Sequence, residues 1–299
     1  MAQAATSVNV TPPNVPEEKV SGPWRDAWKA FRKNKTAMVG LGIIIFFVLI
    51  ALLAPFIAPY GFKDQELVNR LKAPSSAHWF GTDDLGRDLF TRVIYGARIS
   101  LWVGFFSVIG SIVVGTFLGV LAGFYGKWID MLISRMFDIL LAFPSILLAI
   151  AIVAILGPSL QNALYAIAIV NIPTYGRLVR SKVLSLKSEE YVTAARAIGM
   201  KNSRILITHI LPNSLTPIIV QGTLGIATAI IEAAALGFLG LGAQPPDPEW
   251  GKMLSDSRQF ISKAPWTVLF PGLSIMLTVL GFNLMGDGLR DILDPRMKN

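Results

Sequence analysis

Glu232 is the one acid inside a long apolar stretch, residues 213–241. It lies 19 residues past Asn213, roughly 28 Å along a helix axis. A carboxylate at such depth in a bilayer is unfavourable by several kcal/mol unless it is paired, protonated or wet. Two roles are open to it: drawing an ammonium group into a translocation cavity, or bonding to a neighbouring helix or partner subunit. Asp83, Asp84 and Asp88 offer three acids, but Arg87 stands among them, which reads as a local charge cluster and not a metal site. The histidines are His78 and His209, and His209 has no nucleophile arranged around it; it reads as a contact. The chain has no Cys, so disulfides, zinc thiolates, iron–sulfur clusters and cysteine nucleophiles are excluded. No G-x-x-x-x-G-K-[ST] phosphate loop occurs. The glycine-rich GFLGLGA run at 237–243 lacks the lysine such a loop needs.

These residues sit in a strongly apolar chain. Of 299 residues 53% are hydrophobic and 15% charged, against roughly 25% charged in ordinary soluble domains; the mean hydropathy is +0.56. A soluble surface cannot hide that excess. A bilayer core of ~30 Å needs ~20 apolar helical residues, and irregular backbone cannot face lipid. The stretches without charge predict spanning helices at 36–58, 99–123, 131–156, 159–178, 213–241 and 264–286. The split between the third and fourth rests on the turn signal Gly157-Pro158-Ser159. The expected class is therefore all-α, a polytopic membrane protein with six transmembrane helices.

The first apolar run is too long for a signal-peptide core and follows about 35 residues, so it reads as a span. Residues 1–20 are polar and Pro-bearing, with a composition expected of a disordered segment. In 21–35, Trp24, Trp28 and Phe31 share one helical face, with Arg25, Lys29, Arg32 and Lys33 on the others. That pattern predicts an amphipathic helix lying on membrane lipid. Orientation follows the Lys and Arg distribution. Segments 1–35, 124–135, 177–212 and 287–299 hold 18 of the 27, and segments 59–98 and 242–263 hold 9. Both termini are thus expected in the cytoplasm, with 59–98 and 242–263 outside, 179–212 a cytoplasmic loop and 287–299 a cytoplasmic tail. The net charge of +8 reads as these cationic loops; no nucleic-acid partner is expected. AQPPDPEW at 243–250, stiffened by three prolines, reads as an outer loop able to meet a partner or form a lid. Gly115, Gly119 and Gly123 recur every four residues and permit close helix approach. Asp138, Arg135, Arg177 and Arg180, at the inner helix ends, read as snorkelling or paired charges.

The 177–212 loop is the most patterned. Glu189 and Glu190 would open a short helix, where carboxylates favour the positive end of the dipole. Tyr191, Ala194, Ala195 and Ile198 would form its apolar face. Gly199 fits the left-handed residue that ends a helix. A second short helix would begin near Asn202 or Ser203 and stop before Pro212. The string Tyr191-Val192-Thr193-Ala194-Ala195-Arg196-Ala197-Ile198-Gly199, followed by His209-Ile210-Leu211-Pro212-Asn213, resembles the loop signature EAA-x3-G-x9-I-x-LP of ABC importer permeases. Ala194, Ala195, Gly199, Leu211 and Pro212 fall in register. Thr193 stands where the motif has Glu and His209 where it has Ile, with Glu190 three residues earlier as the nearest acid.

The resemblance extends to GTDDLGRDLFTRVIYGARISL (81–101), LAFPSILLAIAIVAILGPS (141–159), AALGFLGLGAQPPDPEWGKML (234–254) and FNLMGDGLRDILDPR (282–296). In this order they resemble the C-type permease subunits of dipeptide and oligopeptide ABC importers. Such a resemblance implies the type I ABC importer permease fold in a bacterial plasma (inner) membrane. It implies a second, B-type permease as heterodimer partner, two ATPase subunits that bind the ATP and Mg, and an extracytoplasmic peptide-binding protein. It also implies a coupling helix starting near Glu190, so that Glu189, Glu190, Tyr191, Ala194, Ala195, Arg196, Gly199, Leu211 and Pro212 serve ATPase coupling. The chain itself would hold no cofactor and catalyse nothing. Related permeases for nickel, glutathione and haem share the scaffold and are the alternatives. An ion-coupled secondary transporter would call for several buried ionisable groups and an internal repeat. An intramembrane protease would need paired acids or a Ser–His pair in the membrane. Neither pattern is present.

Overall fold

The computed structural model describes residues 23–293. The expectation for residues 1–20 and that for 294–299 of the tail lie outside them. Among the described residues the protein is helical, with one isolated bridge, Thr82 to Asp88, and no strand.

Helix α1 (Pro23–Lys33) lies within the 21–35 stretch read as amphipathic. Phe31 is buried, the Trp28 ring stacks on it at 5.7 Å, and the Arg32 guanidinium lies 5.1 Å over that ring. Asn34 then caps α2 (Lys35–Ile57) by accepting from the Ala37 N–H at 3.1 Å. A stripe of Ala37, Gly40, Ile44, Phe47, Ala51 and Ala54 is buried, while Phe56 on the far side is 86% exposed. Large apolar residues stay outside because the surrounding solvent is lipid.

Helix α3 (Leu89–Tyr125) begins ten residues before the expected start at 99. Asp88 caps it by accepting from Thr91 N–H at 2.8 Å. Its 37 residues reach roughly 55 Å, well beyond a hydrocarbon core. The first turns, with buried Arg92 and Leu89, therefore belong to the polar end of the bundle.

The third expected span is not one helix. It divides into α4 (Lys127–Leu141) and α5 (Ser145–Leu156), bent by 92° across Ala142-Phe143-Pro144. Pro144 has no N–H to donate, its ring would meet the carbonyl four residues earlier, and it moves Phe143 away from helical geometry. The turn at Gly157 forms as expected, with φ +92°, and Ser159 caps α6 (Leu160–Lys187) through the Asn162 N–H. α6 runs nine residues past the expected boundary at 178. Among the described residues, four helical stretches are long and apolar enough to cross a membrane, and the bent pair makes a fifth if it is one span. α6 is long enough but carries Gln161, Asn162, Asn171, Arg177 and Arg180.

After α6 come α7 (Glu190–Ala197), α8 (Asn202–Ile205), a π-helical turn over Leu206–Ile210, and α9 (Leu211–Phe238). The expected stop before Pro212 does not occur; 202–238 is continuous. The π turn explains why. Leu211 N–H reaches back to the Leu206 carbonyl, so Pro212 enters a freshly started α segment where its missing N–H matters least. The bundle closes with α10 (Trp250–Ser257) and α11 (Trp266–Leu293).

The most extensive helix pair is α3 with α6. A Cβ added at Gly115 would lie 2.7 Å from the Ile172 carbonyl oxygen, at Gly119 2.4 Å from that of Gly176, and at Gly123 2.9 Å from that of Arg180. The glycine ladder is spent inside this chain.

Candidate functional site

The α7 segment is held by its neighbours on one side and bare on the other. Val192 and Ala195 are buried among Phe124, Val179, Val183, Ile205 and Ile210. Lys187 Nζ donates to the Phe124 carbonyl at 2.7 Å, and the Arg196 guanidinium lies 5.5 Å from that ring. Gly199 ends the helix at φ +80°, with its N–H on the Arg196 carbonyl and the Met200 N–H on that of Ala195. The Tyr191 and His209 rings lie 5.9 Å apart, joining α7 to the π turn.

The apolar face predicted from spacing is split. Ala195 turns inward with Val192, whereas Ala194, Tyr191 (41% exposed) and Ile198 (79% exposed) face out. Glu189, at the N-cap, and Glu190, Thr193 and Arg196 are also exposed. The Thr193 hydroxyl donates to the Glu189 carbonyl at 3.3 Å. Leu211 and Pro212 stand exposed at the start of α9. The eight-residue helix thus carries apolar residues on both sides, one set packed within this chain and the other exposed. Val192 was missed by the sequence reading, though its spacing to Ala195 is the usual signal of a helical face.

Glu232 is buried, and Asn171 Nδ2 of α6 donates to its Oε2 at 2.9 Å. The geometry thus matches the neighbouring-helix role. Arg177 pairs with Asp138 at 2.6 Å, and Arg180 Nη2 donates to Asp130 Oδ2 at 2.7 Å.

At the opposite end of α9, a second polar network fastens the segments that precede α3 and follow α9. Asp83 accepts from Arg87 Nε at 2.6 Å and from the Leu85 and Arg87 N–H groups, with Arg92 Nε 3.5 Å away. Asp88 accepts from Thr91 and contacts His78 Nδ1 at 2.9 Å. Burial and the neighbouring Asp83 carboxylate push Asp84 above the usual carboxylate range. Arg92 Nη1 donates to the Phe62 and Pro246 carbonyls. In the 243–250 stretch, Gln244, Pro245 and Pro246 are exposed. Pro248, Glu249 and Trp250 are buried, and Trp250 Nε1 donates to the Val93 carbonyl at 3.0 Å. Only the tip of that stretch is free to meet a partner.

Glu249 caps α10, accepting from the Gly251 and Lys252 N–H groups at 2.8 Å each. Burial nevertheless pushes its carboxyl up from 4.5 to about 7. Its folded value exceeds its unfolded one, so the stability it contributes is lost as pH rises through about 7. Thermal unfolding of the detergent-solubilised chain should therefore shift to lower temperature between about pH 5 and about pH 8. Glu249→Gln should flatten that slope; an unchanged slope in the variant would assign the pH dependence elsewhere.

The fold is shared with chains of ABC transporters of known structure. The structure aligns with a chain of the inward-facing MetNI methionine ABC transporter at TM-score 0.56 and 20% identity, covering 67% of this chain and 96% of that one. It aligns with a chain of an amino acid ABC transporter at TM-score 0.53 and 14% identity, covering 66% and 92%. The protein thus has the all-helical fold of a type I ABC importer permease. Residues 115–299 match the family of binding-protein-dependent transport system inner membrane components, and the chain belongs to it. Residues 22–74 match the N-terminal TM domain of oligopeptide transport permease C.

The chain is 68% identical over 289 residues to the dipeptide transport system permease protein DppC of Alkalihalophilus pseudofirmus, covering 97% of this chain and 95% of that protein. It is 49% identical over 294 residues to the di/tripeptide transport system permease protein DppC of Pseudomonas aeruginosa, covering 96% and 97%. It is 47% identical over 290 residues to the glutathione transport system permease protein GsiD of Pectobacterium atrosepticum, covering 97% and 96%.

Proposed function

We propose that this chain is the permease subunit of an ATP-driven importer of dipeptides or short oligopeptides, working in a bacterial inner membrane with both termini in the cytoplasm. In this reading α2, α3, the α4–α5 pair, α6, α9 and α11 make six crossings. The α7 end of the bundle is cytoplasmic and the α10 end external. A B-type permease completes the pathway, two ATPase subunits bind the ATP and Mg, and a peptide-binding protein delivers cargo from outside. The observation that carries the reading is the outward face of α7, with Tyr191, Ala194 and Ile198 bare at the junction of α6 and α9.

Coupling is then mechanical. Force on α7 passes to α6, which ends at Lys187, and through the continuous helix 202–238 to α9. Both helices shift together when the ATPases approach, and the populations of inward- and outward-open states change. Glu189, Glu190 and Arg196 lie exposed along α7 to meet polar groups of the ATPase, while Ala195, Gly199, Leu211 and Pro212 set its angle.

The test is uptake of labelled di-, tri- and longer peptides by cells with and without this chain, together with co-purification of an ATPase. Loss of dipeptide uptake on deletion supports the reading. Loss of glutathione uptake alone would favour the second reading, which rests on the relatives of that name. For Glu232, the bond from Asn171 survives in Glu232→Gln through the amide oxygen. Uptake rate within about twofold and unchanged selectivity between free and blocked peptides are expected, since the Asn171 amide keeps an oxygen to donate to. Altered selectivity would return Glu232 to the translocation path.

A further inference from the structure

A cavity of about 570 Å³ lies between α6, α9 and α11, at the end of the bundle that carries α7. Lys182 of α6 and Arg290 of α11 stand among its lining residues, and Asn213, Thr216 and Gln221 of α9 also line it. Neither cation forms an ion pair among the described residues. Asp287 and Asp291 share α11 with Arg290 but do not line the cavity. The apolar part of the lining includes Pro217. Two cations, two amides and a hydroxyl over an apolar floor fit the carboxylate end of a small organic molecule. Glu232, eight residues past Leu224, the last lining residue of α9, and bonded to Asn171, is not part of it.

We propose that this cavity is a transient site for the carboxylate end of the transported peptide on the cytoplasmic side of the pathway. Lys182 and Arg290 attract the carboxylate, and Asn213, Thr216 and Gln221 supply hydrogen bonds. This rests on the reading of the chain as a peptide importer permease. Two of the walls, α6 and α9, are the helices joined through α7, so the movement that couples ATP hydrolysis also changes the width of the cavity. Carboxylate capture and release are thereby tied to the lever. A peptide accumulated in the cytoplasm re-enters the site and slows further uptake.

The experiment uses the complete importer with its binding protein in vesicles, the α7 side facing the lumen. The lumen holds ATP and either an unlabelled dipeptide or the same dipeptide as its C-terminal amide. Initial uptake of labelled dipeptide from outside is measured against lumenal concentration. The free dipeptide should inhibit at concentrations about tenfold lower than the amide, as expected for loss of charge-assisted hydrogen bonds. Lys182→Gln with Arg290→Gln should abolish that difference, and Lys182→Arg should retain it. If the double variant does not assemble, Arg290→Gln alone, at an exposed position, should reduce the difference. Normal uptake with no lumenal inhibition, or with equal inhibition by the amide, overturns the proposal. So does a variant effect confined to vesicles of anionic lipid, which would give the cations to lipid headgroups. Absence of labelled dipeptide uptake by the unaltered complex is a separate result and counts against the peptide reading itself.

Discussion

Uptake falls by about 100-fold in an Ile198→Asp variant while the chain folds and inserts normally; this is the largest expected effect at a residue that contributes little to the bundle. Ile198 is 79% exposed, so removing it leaves the protein core intact. If it packs into a groove of an ATPase, burying it contributes roughly 1.5–3 kcal/mol. Asp forfeits that term and adds a carboxylate that must be desolvated. Tyr191→Asp should act in the same direction, more weakly, because Tyr191 is partly covered and rests near His209. Val192→Asp is the contrasting case. Val192 is fully buried, so the charge should destabilise the chain itself and lower its amount in the membrane. Co-purification of the ATPase, its turnover rate and the thermal stability of the solubilised chain separate the two kinds of loss. Full uptake and full ATPase retention in Ile198→Asp would remove α7 from the coupling interface.

The second large effect is Gly119→Leu, which should prevent accumulation of folded chain. Even the first carbon of the new side chain would lie 2.4 Å from the Gly176 carbonyl oxygen and 3.0 Å from Val179 Cβ. Both are parts of a helix that cannot yield without separating α3 from α6 along its length. Overpacking by a few methylenes in a compliant core costs about 1–3 kcal/mol; here backbone opposes backbone, and the effect should exceed that range. Gly119→Ala should already lower the unfolding temperature. Gly110→Ala is the matched control on the same helix, because its added carbon would make ordinary contact with Ala168 Cβ at 3.5 Å. Equal stability of Gly119→Ala and Gly110→Ala would mean that α3 and α6 are less closely apposed than described.

Much of the candidate site was legible because its signals are local. Gly199 had to be left-handed to end α7, and its φ is +80°. The four-residue repeat of Gly115, Gly119 and Gly123 announced a close helix contact, although only the structure shows α6 as the helix that meets it. Pro144 carried a readable break inside 131–156, yet a continuous apolar run concealed it, since hydropathy measures solvent preference and not backbone geometry. Pro212 misled in the opposite direction. A proline signals a helix end only when its neighbours keep α register, and the π turn before it removes the conflict. The charge cluster of Asp83, Asp84, Arg87 and Asp88 was legible as a local one, but its extension to Arg92 was not, because Arg92 finds its partners at Asp83, Phe62 and Pro246, the last more than 150 residues away.

What the sequence by itself determined is the solvent of each segment and some of its turns: apolar runs long enough for a bilayer, a cationic loop, the turn at Gly157-Pro158-Ser159 and the left-handed Gly199. These follow from residue type and near neighbours alone. Only the tertiary structure decided which side of a helix is taken. Ala195 turns inward because Val183 and Ile205 close around Val192 beside it, and Glu232 is bonded because α6 brings Asn171 within 2.9 Å. Spacing places residues around a helix axis, but the rotation of that helix is set by the packing of all its neighbours together.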